Sequence, residues 1–246
     1  MIRGLLLDLD NTLIQVDVDA FVERYARAVA RRLMPEDPER GMAVVAGASY
    51  RLLAERSPKE RNRDRLLRAL AAELGEEPRA LWTRLESVAA EVLPALRPLV
   101  RPLPGAREVV AEARRRGLRL ALATNPIYPR RVIVERMRWS GLGEEDVDHV
   151  ACLEASSATK PDPAYFAELA AALGLEEEEC LMVGDDPDQD VPEGESALHV
   201  HLLAPADGEA GRGRVRRGPL ASLWRVWDDL LPGAVAGARE EGGARA

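Results

Sequence analysis

Lysine is almost missing from this chain. Of 34 lysine and arginine residues only Lys59 and Lys160 are lysine. Histidine and cysteine are scarce too, three and two in 246 residues, and none stands at a spacing that would hold a metal through Cys and His. Two cysteines among apolar neighbours, Cys152 and Cys180, exclude a disulfide framework and read as strand thiols in a reducing compartment. No run approaches the roughly 20 consecutive apolar residues of a membrane helix. The opening MIRGLLLDLDNTL turns acidic too early for a secretory signal, so the expected address is cytoplasmic, with no membrane partner. A net charge of -8 excludes the basic face that broad nucleic-acid binding needs.

What is present is ordinary for a folded protein: 46% apolar and 31% charged residues. Ile2 to Leu9 is a short apolar run that suits a buried strand opening into a loop. From Asp19 to Leu96 the period becomes helical, as in AFVERYARAVARRLM. Breaks at Pro35–Pro38, Ser57–Pro58 and Gly75–Pro78 divide this block into about four helices. Its arginines, Arg24, Arg27 and Arg31 among them, read as a solvated face. Pro94, Pro98, Pro102 and Pro104 then mark a hinge-like connection. Beyond it strands (118–124, 149–153, 180–184, 197–203) alternate with helices (107–116, 128–140, 164–173), and Asp162 with Pro163 starts the last of these. Alternation of this kind predicts an α/β fold, a parallel sheet with helices on both faces and an all-helical insert. The Gly- and Ala-rich end, 233–246, reads as a disordered tail.

Four motifs stand where strands end, the side on which open parallel sheets bind ligands. They are Asp8-Leu9-Asp10-Asn11-Thr12, Thr124-Asn125, Lys160-Pro161, and Gly184-Asp185-Asp186 leading to Asp190. If the first strand continues, Asp8 and Asp10 face the same way. If it has ended, one carboxylate stays in line while the other swings above it. Several acids in one small volume repel one another unless a hard cation joins them, and oxygen ligands suit Mg²⁺. Lys160 adds compensation, and its survival against the arginine bias is what a compact ammonium site requires. An in-line carboxylate nucleophile, positive charge, hydrogen-bond donors and an acid or base are the parts of a phosphoryl-transfer site.

The order DLDNTL, ATN, KP, GDDPDQD, with a helical insert after the first motif, resembles the haloacid dehalogenase superfamily, phosphatase branch. The resemblance implies a Rossmann-like core over 1–14 and 97–232 and a helical cap over 15–96. It implies Asp8 as nucleophile and Mg²⁺ ligand. Asp10 would be general acid/base, binding the ion through its backbone carbonyl. Thr124 and Asn125 would meet the phosphoryl group and Lys160 would steady it. Asp185 and Asp190 would complete the metal shell, with Asp186 and Asp188 as rivals to Asp190. The implied substrate is a small phosphorylated metabolite. A phosphomutase or a phosphate-accepting receiver are the alternatives; the helical insert and the late acidic loop do not suit a receiver, and Asp10 does not suit a dehalogenase.

Overall fold

The computed structural model describes residues 1–55, 59–205 and 213–233; the tail read at 233–246 therefore lies, all but Gly233, outside the described residues. The chain opens with β1 (Gly4–Leu7) and β2 (Ile14–Val16), followed by α1 (Val18–Leu33), α2 (Pro38–Ala54), α3 (Asn62–Leu74) and α4 (Pro78–Leu96). Then come β3 (Val100–Pro102), α5 (Ala106–Arg115), β4 (Arg119–Leu122), α6 (Arg130–Trp139) and β5 (His149–Val150). The last elements are α7 (Pro163–Ala172), β6 (Cys180–Gly184), β7 (His199–Leu203), β8 (Val215–Gly218) and α8 (Leu223–Val226).

The six-stranded sheet runs β5-β4-β1-β6-β7-β8, with every pairing parallel. Side chains alternate faces along a strand, and both faces here are dry. Leu5 and Leu7 join Leu120, Leu122, Leu181 and Val183 in one core cluster. Leu6 joins Ala121, Met182, Tyr165 and Phe166 in the other. The apolar, unalternating strand sequences follow from this double burial.

Local chemistry sets the helix ends. The carboxylate of Asp17 accepts from the Ala20 N–H at 3.0 Å, Asp37 from Arg40 at 3.1 Å, and Asp162 from Ala164 at 2.9 Å. Gly75, at φ 67°, closes α3 in the left-handed region.

Three features depart from the sequence reading. Pro94 does not break the chain but sits inside the last turn of α4, where its missing N–H forfeits only one helical bond. The strands β2 and β3 pair antiparallel, Ile14 opposite Pro102, and bracket the helical insert; each is three residues long, too short for a periodic signal. The edge strand β8, VRRG, is too polar to read as a strand.

Candidate active site

The first motif begins where β1 ends. Asp8 still donates its N–H to the Val183 carbonyl at 2.9 Å, so its side chain stays at the sheet's rim, 6% exposed. The chain then turns sharply, with the Leu9 carbonyl accepting from Leu13 at 2.9 Å and Ile14 at 3.0 Å. Asn11 takes φ 54°, a conformation asparagine tolerates better than most residues, and its Oδ1 accepts the Val16 N–H at 3.1 Å. Of the two sequence alternatives, the strand has ended. Asp8 remains in line, and Asp10 turns away to pair with the guanidinium of Arg136.

The last motif folds back on the first. Asp190 Oδ2 accepts the Asp186 N–H at 3.0 Å, which brings its carboxylate against Gly184. A Cβ at Gly184 would stand 2.0 Å from that oxygen, so only glycine permits the loop. Lys160 Nζ donates to Asp8 Oδ1 at 2.7 Å and Asp190 Oδ1 at 2.5 Å. All three groups are buried. Asp8, Asp185 and Asp190 each present an oxygen within 4.8 Å of the others. Asp186 and Asp188 are exposed and close their own turn, the Asp188 N–H donating to Asp186 Oδ1 at 2.9 Å. Asp10's carboxylate is not in the three-acid group.

Thr124 follows β4 and is buried; the Tyr165 hydroxyl donates to its carbonyl at 2.8 Å. Asn125 Nδ2 donates to Gln189 Oε1 at 3.2 Å, leaving its Oδ1 buried and unpartnered. Asp8, Asp10, Thr124, Asn125, Lys160, Asp185 and Asp190 all line one cavity of about 320 Å³.

The electrostatics of this cavity ask for a cation. Burial pushes Asp8 up to about 7, with Asp190 and Asp10 adding to the rise and Lys160 opposing it. Burial likewise raises Asp185 to about 6, with Asp190 adding. Burial works to lower Lys160, but Asp8 and Asp190 outweigh it and hold the ammonium above its ordinary value. Three ionised carboxylates and one ammonium would leave two negative charges unmatched, which a divalent ion offsets. The donor set is all oxygen, as a hard cation such as Mg²⁺ requires.

Arg136 is the site residue that sequence reasoning missed. It is 1% exposed and lies 4.2 Å from the Phe21 ring centroid and 5.6 Å from that of Tyr128, within cation–π range. Its Nε and Nη1 have no hydrogen-bond partner among the described residues. A signal existed: Val132, Ile133, Arg136 and Met137 are the buried stripe of α6, and a charge on an apolar stripe marks a buried pair. The arginines at the start of that helix point elsewhere. Arg130 pairs with Glu144, and Arg131 is exposed.

A family model described as haloacid dehalogenase-like hydrolase matches residues 2–197. The chain belongs to that family. Among curated relatives, the phosphoserine phosphatase of Thermus thermophilus is 40% identical over 91 residues, 36% of this chain and 34% of that protein. Phosphatase MT3486 of Mycobacterium tuberculosis is 31% identical over 162 residues, 65% of this chain and 67% of that protein. The match thus spans about a third of the first relative and two thirds of the second. The crystal structure of a HAD phosphatase from Thermococcus onnurineus superposes with a TM-score of 0.54 at 16% identity, covering 95% of this chain and all of that one, a likeness of fold. No helix among the described residues is long and apolar enough to cross a membrane.

Proposed function

We propose that this haloacid dehalogenase-like hydrolase cleaves small phosphate monoesters through an aspartyl-phosphate on Asp8. The observation that carries the reading is the buried contact of Lys160 with Asp8 and Asp190, beside Asp185, at the ends of β1 and β6. The helical insert, 15–96, acts as a cap over the core of 1–14 and 97–232.

Asp8 attacks phosphorus in line with the ester oxygen: the Asp8 O–P bond forms as the P–O bond to the alcohol breaks. Lys160 fixes the attacking carboxylate and offsets charge on the phosphoryl oxygens. The Thr124 hydroxyl and Asn125, which line the same cavity, hydrogen-bond those oxygens. Asp10 gives its proton to the departing alkoxide, then takes one from the water that displaces Asp8 from phosphorus, so the residue ends as it began. Arg136 holds the Asp10 carboxylate in place between these steps. Asp8, Asp185 and Asp190, with the Asp10 carbonyl, would hold Mg²⁺, which when bound neutralises the acids and the phosphate together.

Phosphate release from a panel of monoesters tests this. Release is expected with Mg²⁺, and is abolished by EDTA and by Asp8→Asn. Asp10→Asn should bind substrate yet turn over poorly. Wild-type turnover in Asp8→Asn would exclude the nucleophile, and a phosphoprotein stable for hours would favour a phosphate-accepting receiver instead.

A further inference from the structure

The cavity that holds the acids has a second, apolar end. Beyond Asp8, Lys160 and Asp185 it is walled by Val18, Val22, Ile127 and Tyr128. Val18 and Val22 are 39% and 40% exposed, large apolar side chains left open in the first turns of α1. Val22, Ile127 and Tyr128 also belong to the wall of a second void of about 180 Å³, lined by α1 to α4 of the helical insert and by Ile127, Tyr128, Pro129 and Leu153 of the core. The two spaces therefore adjoin. Among the described residues no charged side chain lines the second void; its wall is mostly leucine, valine and tyrosine, with Ser49 as a further hydroxyl. Tyr25 belongs to that wall, and its buried hydroxyl has no hydrogen-bond partner among the described residues. A packing core does not leave a donor in that state without loss, so a ligand oxygen is what this wall lacks.

These walls are selective. Lys160, the cation that lines the acid end, is bonded to two carboxylates. Arg136, engaged with Asp10, Phe21 and Tyr128, lines neither space. Among the described residues no cation stands at the apolar end to receive a carboxylate from the leaving group. A polyhydroxylated group would meet mostly hydrocarbon, with Ser49 and the tyrosines as the few polar residues of that wall, at a cost of about 1–3 kcal/mol for each hydroxyl buried unpaired. Dry apolar voids of about 150 Å³ accept a benzene ring, so this one has the volume of a six- to eight-carbon group.

We propose that the alcohol released here is a compact hydrocarbon, aryl or branched alkyl, carrying at most one further oxygen. It would sit against Val22, Ile127 and Tyr128 and reach toward Tyr25. The inference rests on the phosphatase reading and extends it to a substrate class.

The test compares 2-phenylethyl phosphate, methyl phosphate and O-phospho-L-serine by kcat/KM in the Mg²⁺-loaded enzyme. Burying one aryl group should favour 2-phenylethyl phosphate over phosphoserine about a hundredfold. In Ala26→Leu, which fills the void from α1, the 2-phenylethyl to methyl ratio should fall about tenfold. Phosphoserine matching or exceeding the aryl ester in the wild-type enzyme overturns the proposal, as does a 2-phenylethyl to methyl ratio unchanged in Ala26→Leu. Titration of 2-phenylethylphosphonic acid against methylphosphonic acid separates binding at the apolar end from turnover. If none of the esters is cleaved, the phosphatase reading fails. The apolar site stands only if the aryl phosphonate still binds about tenfold tighter than the methyl one, and equal binding overturns it.

Discussion

Replacing Asp8 by Asn should abolish turnover and yet stabilise the metal-free protein at alkaline pH. The folded Asp8 titrates at about 7, against 3.8 for an ordinary aspartate, because burial disfavours its charge. Between those values the folded protein keeps a proton that the unfolded chain has lost. Stability therefore falls as pH rises through that window, and the loss is complete above 7. Over the whole window the effect is about 4 kcal/mol at 1.36 kcal/mol per unit, of which about 3 kcal/mol falls between pH 5 and pH 8. Asparagine is the near-isostere of the neutral acid and does not titrate. In EDTA, the melting temperature of Asp8→Asn relative to wild type should rise between pH 5 and pH 8. For a chain of this size that rise is about 6–12 °C. Comparing the difference at two pH values cancels whatever pH-independent change the substitution brings. With Mg²⁺ at pH 8 the order should reverse, since wild type gains the full ligand set and the variant lacks one. A difference that does not move with pH, or moves the other way, would refute the burial of charge at Asp8.

Two further substitutions probe separate parts of the site. Gly184→Ala would put a Cβ 2.0 Å from Asp190 Oδ2 and 2.2 Å from its Cγ, so Asp190 must leave Lys160. Mg²⁺ affinity should fall at least about tenfold, with a stability loss of about 1–3 kcal/mol; a wild-type Mg²⁺ titration would contradict the tight loop. Arg136→Met should lower kcat for alkyl phosphates about a hundredfold by freeing Asp10, with Lys at that position restoring part of it. For p-nitrophenyl phosphate, whose leaving group needs little acid, the loss should be small. An equal loss on both substrates would assign Arg136 to general packing.

Much of this architecture was legible because parallel strands buried on both faces must be apolar throughout, as Leu5 to Leu7 and CLMVG are. Helix starts were legible where a carboxylate caps them, as Asp162 does for α7. The hidden parts are those set by tertiary contact. The β2–β3 pair depends on closure around a four-helix insert, and Ile14 carries no sign that it faces Pro102. At the site, the residue types could be read but not their partition. Asp186, Asp188 and Asp190 look alike in sequence, and only the close approach to Gly184 turns Asp190 inward while the other two face solvent. The turn at Asn11 sends Asp10 to Arg136, a partner 126 residues away. No spacing rule links the two, although the charge on the α6 stripe was visible.

In the proposed reaction phosphorus changes hands twice, first to Asp8 and then to water. The stereochemical course of hydrolysis, followed with a phosphate monoester made chiral by oxygen isotopes, measures that count directly. Two in-line displacements give overall retention at phosphorus, which is the expected result. Inversion would mean a single attack by water and would contradict the role given to Asp8.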